Sequence, residues 1–130
     1  EEDQVRLQLD GQPLIIQGDR AMLRRAISNL LSNAIRHTPS GEKVLVQLAR
    51  PSDQEVSLSI QNPGPEIPAE HLSNIFDRFY RVDPSRTRQS EGAGLGLAIV
   101  RSIVEAHGGR VTAASTRSKT TFTLFFPDTT

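Results

Sequence analysis

Residues 20–37 read RAMLRRAISNLLSNAIRH and follow Gly18 and Asp19. Asp19 is a residue type that caps helices by accepting the free N–H groups of the first turn. Thr38 and Pro39 close the stretch, because the residue before a proline disfavours helix. The spacing therefore predicts one helix over 20–37. Leu23, Ala26, Ile27, Leu30 and Ala34 recur at helical intervals and form its buried face. Arg24, Arg25, Ser28 and Ser32 fall on the far side and face water. Asn29, Asn33, Arg36 and His37 make a third stripe, about a quarter turn from the buried face. A stripe in that position borders a groove rather than open solvent. Amide oxygens suit a hard cation such as Mg²⁺. Arg36 can meet phosphate, and His37 can lie against a flat ring. The plainer reading is a helix edge decorated by two asparagines and a histidine.

Working outward, Val5, Leu7 and Leu9 alternate with polar residues and predict a half-buried strand. Asp10-Gly11 is a turn signal, and 13–17 predicts the returning strand. Two more strands are expected over 43–50 and 55–61, with a turn at 51–53. Residues 62–68, rich in proline and glycine, predict a loop, and 69–75 a short helix. Residues 77–94 hold Pro84, several arginines and serines, and two glycines, which predicts a long mobile loop. Residues 95–107 predict a helix ended by Gly108-Gly109. Closing strands are expected over 110–115 and 120–126. This order points to a single α+β domain over 1–130. It would be a two-layer α/β sandwich, with a mixed, mostly antiparallel sheet and about three helices on one face.

Composition narrows the chemistry. The chain has 130 residues, 36% of them hydrophobic, with fifteen Lys+Arg balanced by fifteen Asp+Glu. That balance gives no reason to expect nucleic acid or direct contact with an anionic membrane. Any bound anion must be held by a local site. Without cysteine, disulfides and thiolate metal sites are excluded. His37, His71 and His107 are too scattered to make a soft-metal cluster. The apolar runs are too short to span a membrane as a helix. The chain starts at Glu1, so a piece of a longer protein is expected.

Gly92-Ala93-Gly94-Leu95-Gly96-Leu97 leads directly into the last predicted helix. Glycines there let the backbone approach a ligand, and the free N–H groups at a helix start attract anions. The spacing is not that of a dinucleotide fingerprint, and no G-x-x-x-x-G-K-S/T stretch is present. Asn62-Pro63-Gly64-Pro65 follows a strand. It is either a turn or a strand-end amide that reads the edge of a base, with Gly64 keeping the pocket open. Phe76, Phe79 and Tyr80 beside Asp77, Arg78 and Arg81 predict a small satellite core anchoring the start of the mobile loop.

Taken together, these stretches resemble the catalytic domain of bacterial sensor histidine kinases, in the GHKL (Bergerat-fold) superfamily. Asn29-Leu30-Leu31-Ser32-Asn33-Ala34-Ile35-Arg36-His37-Thr38-Pro39 resembles the N box. Asn62-Pro63-Gly64-Pro65-Glu66-Ile67-Pro68 stands where the G1 box, usually D-x-G-x-G, belongs. Phe76 to Arg81 resembles the F box, Gly92 to Leu97 the G2 box, and Thr120-Thr121-Phe122 the last, G-T-x-F-like box. The resemblance covers nearly the whole chain, with the boxes in order.

The resemblance implies a site for ATP and Mg²⁺. Asn33 would ligate Mg²⁺ with Asn29 beside it, these two being the catalytic pair. Arg36 would touch phosphate and His37 would flank the nucleotide. Asn62, Gly64, Ile67 and Thr120 would form the adenine pocket. Gly92, Gly94, Leu95, Gly96 and Leu97 would offer backbone N–H groups to phosphates. Residues 77–94 would be the ATP lid, with Tyr80, Arg81 and Arg88 (or Arg86) reaching the nucleotide. Three departures stand out: Asn62 replaces Asp, Glu66 replaces Gly, and Lys119 replaces Gly. The N-P-G form, with the stretch from Phe76 to Arg86, resembles the kinases of copper- and silver-resistance systems. Any metal would then be sensed elsewhere.

The implied reaction is transfer of the ATP γ-phosphate to a histidine on an adjacent dimerisation domain, and onward to a response regulator. The implied setting is the cytoplasmic side of a kinase anchored in the inner membrane. This stretch alone would be monomeric and unable to autophosphorylate, since it lacks the acceptor-histidine motif. One alternative is an ATP-hydrolysing machine of the gyrase B or heat-shock type. Those place Glu where Asn29 stands, and Asn cannot act as a general base. An anti-sigma-type serine kinase fits the F box and long lid poorly. A third alternative is an interaction module that has lost ATP through the changes at 62, 66 and 119.

Overall fold

Along β3 (Glu55–Pro63) the inward positions are Val56, Leu58, Ile60 and Asn62. Along β5 (Lys119–Pro127) they are Phe126, Leu124, Phe122 and Thr120. The antiparallel register sets these opposite one another in the same order. β4 (Arg110–Ser115) extends two apolar rows with Val111 and Ala113, which face Leu124 and Phe122. β2 (Lys43–Ser52) extends them on the other side with Leu48 and Val46, opposite Leu58 and Ile60. β1 (Arg6–Asp10) pairs with β2 in parallel at the edge. The computed structural model, which describes residues 6–77 and 96–128, therefore holds a five-stranded mixed sheet in the order β1-β2-β3-β5-β4.

Two helices cover the apolar face. α1 (Arg20–Arg36) buries Ala26, Leu30 and Ala34. A four-residue helix, α2 (Ala69–Leu72), follows β3. α3 (Gly96–Ala106) buries Val100, Ile103 and Val104 and lies along α1. These side chains share one core with the sheet rows. Asp19 caps α1 by accepting the Met22 N–H at 3.0 Å. At the other end the Thr38 hydroxyl donates to the Ala34 carbonyl at 2.6 Å, satisfying one of the orphan acceptors of the last turn. The predicted two-layer α/β sandwich is the architecture observed.

Several local expectations are corrected. Residues 13–17 form no strand, and the partner of β1 is instead the parallel β2. Leu14 and Ile16 nonetheless pack against the core, while Ile15 between them is 70% exposed. Leu7 and Leu9 share a face with Val44 and Val46 but are 55% and 66% exposed, so β1 is not half-buried. The helical layer rests on β3, β4 and β5 and leaves this edge open. Asn62 and Pro63 end β3 rather than starting a loop. The strand pair β2–β3 turns at 53–54, later than expected. The helix expected over 69–75 ends at Leu72 and continues as turns. Phe76 is no satellite: its ring meets Phe122 edge-on, with centroids 5.8 Å apart, inside the main core.

Candidate functional site

The inward face of the sheet changes character at one end. Its rows Leu58–Leu124–Val111 and Ile60–Phe122–Ala113 are apolar. The next row is Asn62–Thr120–Ser115, three polar side chains on three adjacent strands. Asn62 and Thr120 are only 5% and 4% exposed. Polar groups that deep need partners, and they have them. Asn62 Nδ2 donates to the Pro63 carbonyl at 2.9 Å. The Thr120 and Ser115 hydroxyls lie 2.9 Å apart, and Ser115 Oγ accepts the Ile67 N–H at 2.8 Å. The bond to Pro63 orients the Asn62 amide, leaving Oδ1 as an acceptor at the end of the row.

The segment after β3 is tied over this row. Gly64 N–H donates to the Ser118 carbonyl at 3.0 Å. A Cβ at Gly64 would lie 3.5 Å from the His37 carbonyl oxygen and 3.7 Å from Asn62 Nδ2, and its φ is +153°. A side chain there would be strained by the backbone conformation, while its Cβ would make only ordinary contact with the end of α1 and the polar row. Gly64 thus brings the 62–67 segment against the C-terminal end of α1. Glu66, which stands where the resembled family has glycine, is exposed. Lys119 is also exposed, and the strand turn survives its presence, with Lys119 O accepting the Thr116 N–H at 2.8 Å.

On α1, Asn29 and Asn33 are half-buried and Arg36 and His37 exposed. Arg36 Nη2 lies 3.4 Å from Asn33 Oδ1, a long contact that a cation could displace. The donor set, two amide oxygens at the groove edge, is chemically fit for a hard divalent cation. α3 runs antiparallel to α1. Its C-terminal His107 reaches the α1 N-cap, where its Nε2 accepts the Asp19 N–H at 3.0 Å. α3 is about 16 Å long at 1.5 Å per residue, so its N-terminal Gly96 lies at the far end of α3 from the α1 N-cap. Nothing lies within 4 Å of a Cβ built at Gly96, and Leu97 is partly buried against the core.

The structure so gathers Asn62, Gly64, Ile67 and Thr120 at one end of the sheet, beside the end of α1. Tyr80, Arg81, Arg86, Arg88, Gly92, Gly94 and Leu95 lie outside the described residues, as does all of the expected 77–94 lid except Asp77. Asp77 carries a 3.6 Å ion pair with Arg101 of α3. Ser115 is the member of the polar row that sequence reading passed over. The signal was available: in β4, as in β3 and β5, the inward positions turn from apolar to polar at the same end.

Residues 18–130 match the family described as histidine kinase-, DNA gyrase B-, and HSP90-like ATPase. The chain is 55% identical over 121 residues to the probable sensor kinase SilS of Salmonella typhimurium, covering 93% of this chain and 24% of that protein. It is 51% identical over 123 residues to the sensor histidine kinase CusS of Escherichia coli K12, covering 95% of this chain and 25% of that protein. It thus spans about a quarter of the length of these relatives. Among solved structures, the mycobacterial sensor histidine kinase MprB superposes with a TM-score of 0.82 at 32% identity, over 95% of this chain and 81% of that one.

Proposed function

The chain belongs to the histidine kinase-, DNA gyrase B-, and HSP90-like ATPases, as a sensor histidine kinase catalytic domain, and we propose that it holds Mg-ATP between α1, the start of α3 and the polar row. From there the γ-phosphate would pass to a histidine on the dimerisation domain of the same kinase, and then to a response regulator. The observation that carries this reading is the Asn62–Thr120 pair, buried yet offering an acceptor at the mouth of an otherwise apolar sheet face.

Each group has a task that its chemistry suits. Asn62 Oδ1 would accept the amino hydrogen of adenine, with Thr120 beside it and Gly64 and Ile67 forming the wall. Asn29 and Asn33 would hold Mg²⁺, which when bound neutralises phosphate charge. Arg36 would meet phosphate and His37 flank the nucleotide. Gly96 and Leu97, with Gly92, Gly94 and Leu95 before them, would offer backbone N–H groups at the α3 N-terminus. Tyr80, Arg81 and Arg88 complete the proposal from the lid segment. α1 contains no Asp or Glu. It therefore offers no base to activate water, which favours phosphotransfer over hydrolysis.

The N-P-G form of the 62–64 stretch extends the proposal to a heavy-metal response pathway, in a kinase anchored in the inner membrane with this part on its cytoplasmic side. Calorimetric titration of ATP with and without Mg²⁺ tests the core of the reading. Saturable, Mg²⁺-dependent binding is expected. No heat at millimolar ATP would replace it with a module that has lost its nucleotide.

A further inference from the structure

The segment 64–67 is held to the β4–β5 strand pair at two points among the described residues. One is backbone to backbone, Gly64 N–H to Ser118 O at 3.0 Å. The other depends on a side chain, Ile67 N–H to Ser115 Oγ at 2.8 Å. Ser115 is the last residue of β4 and stands opposite Thr120 in register, with the two hydroxyl oxygens 2.9 Å apart. A serine hydroxyl has one hydrogen and two lone pairs. With one lone pair engaged by Ile67, the hydroxyl retains one hydrogen and one lone pair for Thr120. When Ser115 donates, the Thr120 hydrogen is left to point along the row toward Asn62 and any base seated there.

We infer that Ser115 is a positioning residue for base recognition: it sets the backbone of the pocket wall through Ile67 and the direction of the Thr120 hydroxyl, without touching the nucleotide. This rests on the reading of Asn62 and Thr120 as the base pocket. Removing the hydroxyl leaves the Ile67 N–H without its partner and lets Thr120 rotate. A neutral hydrogen bond of this kind corresponds to roughly a tenfold change in an equilibrium constant.

The test uses Ser115→Ala and Ser115→Thr in this chain, with ATP and GTP competing for a fluorescent ATP analogue. Ser115→Ala should weaken ATP roughly tenfold, narrow the preference for ATP over GTP, and speed hydrogen exchange at the Ile67 amide. Ser115→Thr, which keeps the oxygen and suits a strand, should restore all three. Unchanged ATP affinity in Ser115→Ala would overturn the inference, and so would a loss that Ser115→Thr does not restore. An Asn62→Ala variant with wild-type ATP affinity and preference would instead remove the base-pocket reading on which the inference stands.

Discussion

His107 Nε2 accepts a hydrogen bond from the Asp19 N–H at 3.0 Å, joining the end of α3 to the N-cap of α1. Its Nδ1 lies 2.8 Å from the Ile103 carbonyl oxygen, so both ring nitrogens are engaged. The bridge is tight. A Cβ at Gly18 would come within 2.5 Å of His107 Cδ2 and 2.8 Å of Leu23 Cδ1.

His107→Ala should therefore lower stability by about 0.5 to 1.5 kcal/mol, the net contribution of one hydrogen bond whose donor water can reach. Gly18→Ala should also destabilise, by pushing the ring off the cap. Because both act on one contact, their effects should not add. Urea unfolding of the two single variants and the double variant measures this. Full additivity would show that Gly18→Ala acts through something other than the His107 ring, such as Leu23.

Asn33→Ala should abolish Mg²⁺-dependent ATP binding while leaving the fold intact, since Asn33 is only half-buried and its side-chain contact with Arg36 is a long 3.4 Å. Calorimetry with Mg²⁺ and with chelator separates the two terms. Near-normal affinity with Mg²⁺ would contradict the role assigned to this amide.

Asn62→Asp should keep the preference for adenine, because a carboxylate oxygen accepts the same amino hydrogen. The variant loses the 2.9 Å bond to Pro63 O, since an ionised carboxylate cannot donate. A modest fall in melting temperature is expected alongside unchanged selectivity. GTP competing as well as ATP would show that the base is read elsewhere.

Phe122→Ala should cost about 3 to 5 kcal/mol. Phe122 is 1% exposed, sits in the central apolar row, and carries the edge-on ring of Phe76. The same substitution releases Phe76, so the segment leading to residue 77 should lose protection in hydrogen exchange. A loss under about 1 kcal/mol, well below the usual range for such truncations, would mean that the site collapses around the gap.

Periodicity served well where one element's pattern is decided by one buried face. The buried stripe of α1, the end of that helix before Thr38, and the inward rows of β3 and β5 all follow from residues within the segment. It failed where a partner decides. The alternation at 13–17 is real, with Leu14 and Ile16 inward, but the segment joins no ladder among the described residues. Leu7 and Leu9 alternate as an amphipathic strand should, yet the helical layer stops short of them. Phe76 could not be assigned to the main core without knowing that Phe122, 46 positions later, faces it.

The sequence by itself determined the fold class and the order of elements from α1 onward, because hydrophobic period and side-chain chemistry are local properties. Only the tertiary structure decided which polar residues stand together. Cross-strand register places Asn62, Thr120 and Ser115 in one row, and the packing of α3 along α1 sets the end of α3 at the α1 N-cap. Register and helix orientation arise from contacts between distant segments, where burial of one face must match burial of another, and no single stretch of chain contains that information.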